Sequence, residues 1–262
     1  MKRFSISSAF LKHTAYLSMF TDHFFAVVFW AYWEWLIRSG VSADVMETAG
    51  GIYHLGRAVG RIAFILFAFM ASEGFQHTHS RKNYLLRLLA FAVISEIPFD
   101  LAINGKFFTM DGQNVYWTLF LGVSALCLLE KLQGRPLLQT AGVALCCVAA
   151  YLLDTDYMFM GVFLIVVFYL CRKSFWHQFA AGSVIIYAGM VLIYAVRYWG
   201  SGIHWSLYLQ ASTSELYGLC AFFFIYFYNG KKGRQFPKAF YYWFYPLHLL
   251  LLYGIKICLF PA

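Results

Sequence analysis

The chain has 262 residues, of which 61% are hydrophobic, 21% aromatic and only 12% charged, with a mean hydropathy of +0.64 and a net charge of +8. So apolar a composition excludes an ordinary soluble domain and points to an all-α, polytopic transmembrane helical bundle, a single domain over residues 1–262. The positive charge sits in short loops between apolar runs, which excludes a nucleic-acid-binding module, because that would need a basic face on a folded soluble domain.

Apolar stretches close to the ~20 residues that cross a bilayer fall at 14–37, 57–76, 84–104, 114–130, 136–153, 157–171, 176–196, 213–229 and 239–260. About nine membrane helices are therefore expected, within a range of roughly eight to ten. The first follows Met1-Lys2-Arg3 but lacks a small-residue cleavage pattern, so it reads as a retained helix. The stretch 198–212, with Trp199, His204, Trp205 and Tyr208, is short and polar for a span and reads as interfacial or re-entrant; a tenth crossing there would reverse the C-terminus.

Orientation follows from the basic residues. One alternating set of loops holds Lys2, Arg3, Lys12, Arg81, Lys82, Lys131, Arg135, Arg172, Lys173 and the Lys231, Lys232, Arg234, Lys238 group, whereas the other holds Arg38, Lys106 and Arg197. The positive-inside bias places the first set in the cytoplasm, the N-terminus inside and the C-terminus outside, in the plasma (inner) membrane. The six cysteines have no metal-ligand spacing and read as small packing residues, so no metal is expected.

Ionisable groups inside the apolar stretches are costly in a bilayer and each asks for a reason. Arg57 with Arg61, and Glu96 with Asp100, have i,i+4 spacing and occupy one face of their helices. With a turn near His79-Ser80 the two pairs fall at similar depth, so they are expected to face one another, either as a clamp on the hairpin or as a substrate or cofactor site. Asp22-His23 joins a carboxylate to a group that titrates near neutral pH, which suits proton abstraction; hydrogen bonding to a helix backbone or a tyrosine fits a membrane histidine equally. Adjacent helical residues diverge by ~100°, so Asp22 either serves His23 from the side or pairs with an arginine. His248 follows Pro246, where a kink would free a backbone carbonyl, and fits a packing role or a cavity. The loop at 77–87 gathers His77, His79, Arg81, Lys82 and Arg87, a set suited to phosphate as well as to topology, with Glu73 as the natural partner of Arg87. No Walker loop, zincin motif or serine elbow is present.

Three groups of residues carry a resemblance. Met19-Phe20-Thr21-Asp22-His23, the run from Gly60-Arg61-Ile62-Ala63-Phe64 through Glu73-Gly74-Phe75-Gln76-His77-Thr78 to Ser95-Glu96-Ile97-Pro98-Phe99-Asp100, and the late Phe244-Tyr245-Pro246-Leu247-His248-Leu249 together resemble the TraX family of membrane proteins. That resemblance implies a pilin-acetylase-like enzyme related to transmembrane acyltransferases, which use cytosolic acyl-CoA and an intramembrane histidine. Carried over, His23 is the general base and Asp22 its orienting carboxylate. Arg87, Arg81 and Lys82, with Glu73 beside them, meet acetyl-CoA as co-substrate, while Arg57 and Arg61 grip the acceptor or the oxyanion. The acceptor is left open among a peptide amine, a glycan and a lipid hydroxyl. Competing readings are a small transporter or flippase, in which buried charges are transport sites, and a non-catalytic component of a conjugation or secretion assembly. Small residues at Gly56, Gly60 and Ala63 suit a close helix interface within or between subunits.

Overall fold

A computed structural model describes residues 4–198, 200, 206 and 214–261. The expected interfacial stretch 198–212, apart from Tyr198, Gly200 and Ser206, lies outside the described residues. Ser7 caps α1 (Ser8–Phe24), its hydroxyl accepting the Phe10 N–H. The same rod continues through a π segment (Phe25–Phe29) into α2 (Trp30–Arg38). Helix α3 (Ala43–His77) has 35 residues, about 52 Å at 1.5 Å each. It starts well before the apolar run at 57, because the segment from Ala43 carries only Asp44 and Glu47 as charges and contains no proline.

Ser80 caps α4 (Arg81–Ile94), which breaks at Ser95 into α5 (Glu96–Phe99) and a π segment (Asp100–Asn104). Pro98 supplies no N–H to the Ile94 carbonyl, which accounts for the break. Gly105 at φ +65 then ends the run in the left-handed region. Asn114 caps α6 (Val115–Lys131), and α7 (Pro136–Leu152), α8 (Met158–Leu170) and α9 (Phe175–Arg197) follow through short turns. A 3₁₀ segment (Glu215–Cys220) runs into α10 (Ala221–Tyr226), and α11 (Lys238–Leu259) closes the chain with Pro246 inside it. Among the described residues the fold is all-helical, and three helices are long and apolar enough to cross a membrane: Ala43–His77, Phe175–Val196 and Lys238–Leu259.

Helix α3 is the central element, packed along α1 and against α6, α8 and the 3₁₀ segment. Its inner face buries Phe64, Ile65, Leu66, Phe69 and Phe75 against Leu126, Leu164, Ile165, Phe168 and Phe222. Leu17, Leu55, Leu145, Leu152 and Val184 instead point outward with more than 60% of their surface exposed, an apolar exterior that suits lipid rather than water. The N-terminal strand of chain is tied to the loop before α11 by backbone bonds from Ile6 to Phe227, Ser8 to Lys231 and Ala9 to Lys232 at 2.8–3.0 Å. That tether brings Lys12 beside Lys232 and Lys238.

Helices α3, α6 and α8 meet at Gly161, where an added Cβ would overlap Thr118 and come 2.8 Å from the Phe64 ring. Gly161→Val is expected to lower stability by about 1–3 kcal/mol, whereas Gly51→Ala, in open space, should leave it unchanged or slightly raised; thermal unfolding in detergent checks both.

Candidate functional site

His23 lies in α1 roughly 22 Å from its Ser8 end, and two residues later the helix enters its π segment, a local rewinding that re-aims side chains. His23 Nδ1 stands 2.6 Å from His248 Nε2, with the rings stacked at 4.9 Å. His248 Nδ1 lies 2.8 Å from the Phe244 carbonyl oxygen. A carbonyl only accepts, so the hydrogen bonding assigns the His248 proton to Nδ1 and its lone pair to Nε2. His23 must then donate from Nδ1, which leaves its own Nε2 lone pair outside the chain of bonds, as a base requires. Tyr245 packs edge-on against both imidazoles at 5.7 Å.

Charges surround this pair on the α3 side. Arg57 Nη1 donates to Asp22 Oδ2 at 2.7 Å and to the Asp22 carbonyl at 3.3 Å. One turn along, Arg61 Nη1 reaches Glu215 Oε1 at 3.3 Å and the Tyr157 hydroxyl at 3.5 Å. Tyr157 lies flat on Phe64 at 3.8 Å. It belongs to a connection that Asp154, Tyr157 and Met158 turn with φ of +48, +61 and +41, backbone that costs on the order of 1 kcal/mol or more per non-glycine residue. Gln113 pins the connection by bonds to the Asp154 carbonyl and the Asp156 N–H, both 2.9 Å, and Thr118 donates to the Asp156 carbonyl. Asp156 lies where Arg61, Asp22, Arg57 and Glu215 all act on it, so it joins this charged layer.

A cavity of about 600 Å³ approaches the histidines from the other side. Its mouth carries Lys12, His77, Arg87, Lys232 and Lys238; its depth is walled by tyrosines and ends at Tyr245. Lys12 donates to Gln235 at 2.9 Å. It precedes the apolar run, and burial, then the Lys232 and Lys238 ammonium groups, hold it below the ordinary lysine range. Lys12, Arg87, Lys232 and Lys238 outnumber Glu73, the acidic group of this lining, which is bound to His77, and such an excess of cations suits a phosphate ligand.

Several expected pairings are corrected. Arg57 and Arg61 do not face Glu96 and Asp100, because α3 packs along α1 and turns its arginines to Asp22 and Glu215. Glu96 Oε2 instead takes the Asn114 side-chain amide at 2.6 Å and the Trp117 indole at 2.8 Å. Asp100 accepts from Asn104 at 3.0 Å and from the Thr109 N–H at 2.8 Å, closing its own loop. Asp22 pairs with Arg57, and His248 takes the orienting position beside His23, since Asp22 diverges from its neighbour around the helix. Glu73 is bound to His77 at 3.7 Å, while Arg87 donates to the Tyr242 hydroxyl at 3.3 Å; both line the cavity without pairing. Arg81 is bound to Glu130 and borders a different recess, and Lys82 is exposed outside both. Lys12, Lys232 and Lys238 were legible only as topology, and Tyr157, Asp156 and Glu215 carried no motif.

A sequence model described as TraX protein matches residues 7–256, nearly the whole chain. The chain belongs to the TraX family. This TraX protein is also 32% identical over 217 residues, 79% of its length and 85% of the relative's, to a probable fimbrial assembly protein, FimC of serogroup H1, from Dichelobacter nodosus. No solved structure matches it.

Gly60 admits Asp22 to α3, since a Cβ there would overlap its carboxylate. Removing Arg57 leaves that carboxylate unpaired: Arg57→Ala should cost up to about 3 kcal/mol. Asp22→Asn in the same background should restore part of it, a coupling read by a double-mutant cycle of thermal unfolding.

Proposed function

We propose that this TraX protein is an integral inner-membrane acetyltransferase, in which His23 acts as general base on an acceptor while acetyl-CoA enters the basic-mouthed cavity. The observation that carries the reading is the His23–His248 pair directly behind Tyr245, which lines that cavity. The lone pair on His23 Nε2 takes the proton of an amine or hydroxyl as its heteroatom attacks the thioester carbonyl. The C–S bond breaks, and the proton leaves with the CoA sulfur. His248 is the positioning residue: it fixes the His23 tautomer and accepts a stronger hydrogen bond as His23 becomes an imidazolium, with Asp22 and Arg57 alongside. Lys12, Arg87, Lys232 and Lys238 suit the CoA phosphates, and the tyrosine-lined depth suits the pantetheine arm.

Nine crossings, with the basic loops in the cytoplasm and the C-terminus outside, fit this reading, because the nine apolar stretches each coincide with described helix. The donor then comes from the cytoplasm and the acceptor from the Asp156 side. A second reading, a membrane component of fimbrial assembly without chemistry of its own, draws support from the printed name of the Dichelobacter nodosus relative.

Thiol release from acetyl-CoA by purified protein, with peptide, glycan and lipid acceptors, separates the two. His23→Ala is expected to lower kcat by about 10²–10⁴, and His248→Ala to lower kcat with the KM for acetyl-CoA unchanged. Lys12→Ala with Arg87→Ala should raise that KM by roughly 10-fold. Folded protein that neither binds acetyl-CoA nor releases thiol with any acceptor would leave the assembly reading.

A further inference from the structure

A second recess, of about 1100 Å³, has no part in the chemistry above. It opens between α6, α7 and α8 at the end of the bundle that bears the basic loops. Its walls include hydrocarbon from Val143, Ala144, Phe163, Val166 and Leu170, of which Phe163 and Leu170 are 41% and 58% exposed, beside Gln139 and Thr140, which donate to the Leu129 and Pro136 carbonyls. Its rim carries Arg81, Glu130, Lys131 and Arg172.

These rim groups are held rather than loose. Arg81 pairs with Glu130 and lies over the Phe75 ring at 4.8 Å, and Glu130 also accepts from the Tyr169 hydroxyl at 2.9 Å. Arg172 lies over the Tyr169 ring at 4.6 Å and donates to the Tyr169 carbonyl at 2.8 Å, which spends one N–H and leaves the rest of the guanidinium to point elsewhere. Glu130 is neutralised by Arg81, so Lys131 and Arg172 stand as cations with no acidic partner among the described residues. A positive rim over a hydrocarbon slot, open sideways at the level of the loops, matches an amphiphile with an anionic head and acyl chains. A soluble phosphate fits the rim but leaves the slot unfilled, and a zwitterionic lipid brings no net charge to it.

We propose that the recess between α6, α7 and α8 is a binding site for an anionic phospholipid, its phosphate at Lys131 and Arg172 and a chain along Val143, Phe163 and Val166. Lipid bound there wedges the α6–α7 hairpin against α8 and so stabilises the bundle.

The test is native mass spectrometry and thermal unfolding of delipidated full-length protein, titrated with phosphatidylglycerol, phosphatidylcholine or inorganic phosphate. Phosphatidylglycerol is expected to remain bound and raise the unfolding temperature, and the other two are not. Lys131→Gln with Arg172→Gln, both near the surface, should weaken phosphatidylglycerol binding roughly 20- to 30-fold. Ala144→Trp, which fills the slot and keeps both cations, should weaken it as well. Lys82→Gln, a cation outside the recess, should change nothing. Equal binding of phosphatidylglycerol and phosphatidylcholine, or full binding by both the double variant and Ala144→Trp, would overturn the site.

Discussion

A bilayer cannot solvate a lone ion, so Asp22 requires Arg57, and that requirement determines how α1 lies on α3. The pair closes at 2.7 Å only because Gly60 leaves room for the carboxylate. Gly56, one turn earlier on the same face, makes room for the Phe25 ring at the start of the π segment. Ser18 donates to the Val59 carbonyl at 2.6 Å a turn away. These contacts hold the two helices within a side chain of each other, and His23, next to Asp22, is thereby turned away from α3 toward α11. The position of the imidazole is thus a consequence of where its neighbour's charge must go.

The other half of the site follows from a missing N–H. Pro246 cannot bond the Tyr242 carbonyl, and inside a membrane a freed carbonyl must find another donor. The Tyr116 hydroxyl supplies it at 3.4 Å, and Tyr16 donates to the adjacent Tyr241 carbonyl. Each tyrosine comes from a different helix, so the repair of one backbone break draws α1, α6 and α11 together and walls the cavity with phenol rings. The same helix then offers His248, half a turn after the proline, with its Nδ1 proton committed to Phe244.

What could be read from residues alone was whatever a single helix determines. The apolar stretches and the singling out of His23, Arg57, Arg61 and His248 follow from local spacing and the cost of charge in hydrocarbon. Partnership did not follow, because i,i+4 spacing says which face a charge occupies but not which helix that face meets. Equal depth made Glu96 and Asp100 look like partners for the arginines, yet α5 and its π segment bend away, so that Asp100 is satisfied within its own loop and Glu96 by Asn114 and Trp117 at the start of α6. Glu215 and Asp156 were invisible as partners because both come from connections whose path depends on left-handed backbone at Asp154, Tyr157 and Met158 and on the packing of the 3₁₀ segment. The π segments were equally hidden, as nothing in the composition of Phe25–Phe29 or Asp100–Asn104 distinguishes them from ordinary helix.

The two approaches to the histidines differ in chemistry, and a transferase reading gives that difference a use. The lysine-rich mouth attracts anions and leads through tyrosines to Tyr245. On the other side, Asp22, Asp156 and Glu215 share a layer with Arg57 and Arg61, so the arginines are matched by carboxylates and the field there does not favour an anion. Tyr245 lines the cavity and packs edge-on against the stacked imidazoles of His23 and His248, so these rings lie between the two sides. His23 Nδ1–H points at the His248 lone pair and the His248 Nδ1–H is committed to the Phe244 carbonyl, so the pair fixes the imidazoles in place. An acyl carrier held on the anion-attracting side would therefore have to bring its thioester carbonyl past Tyr245 into contact with the acceptor, beside the free lone pair of His23.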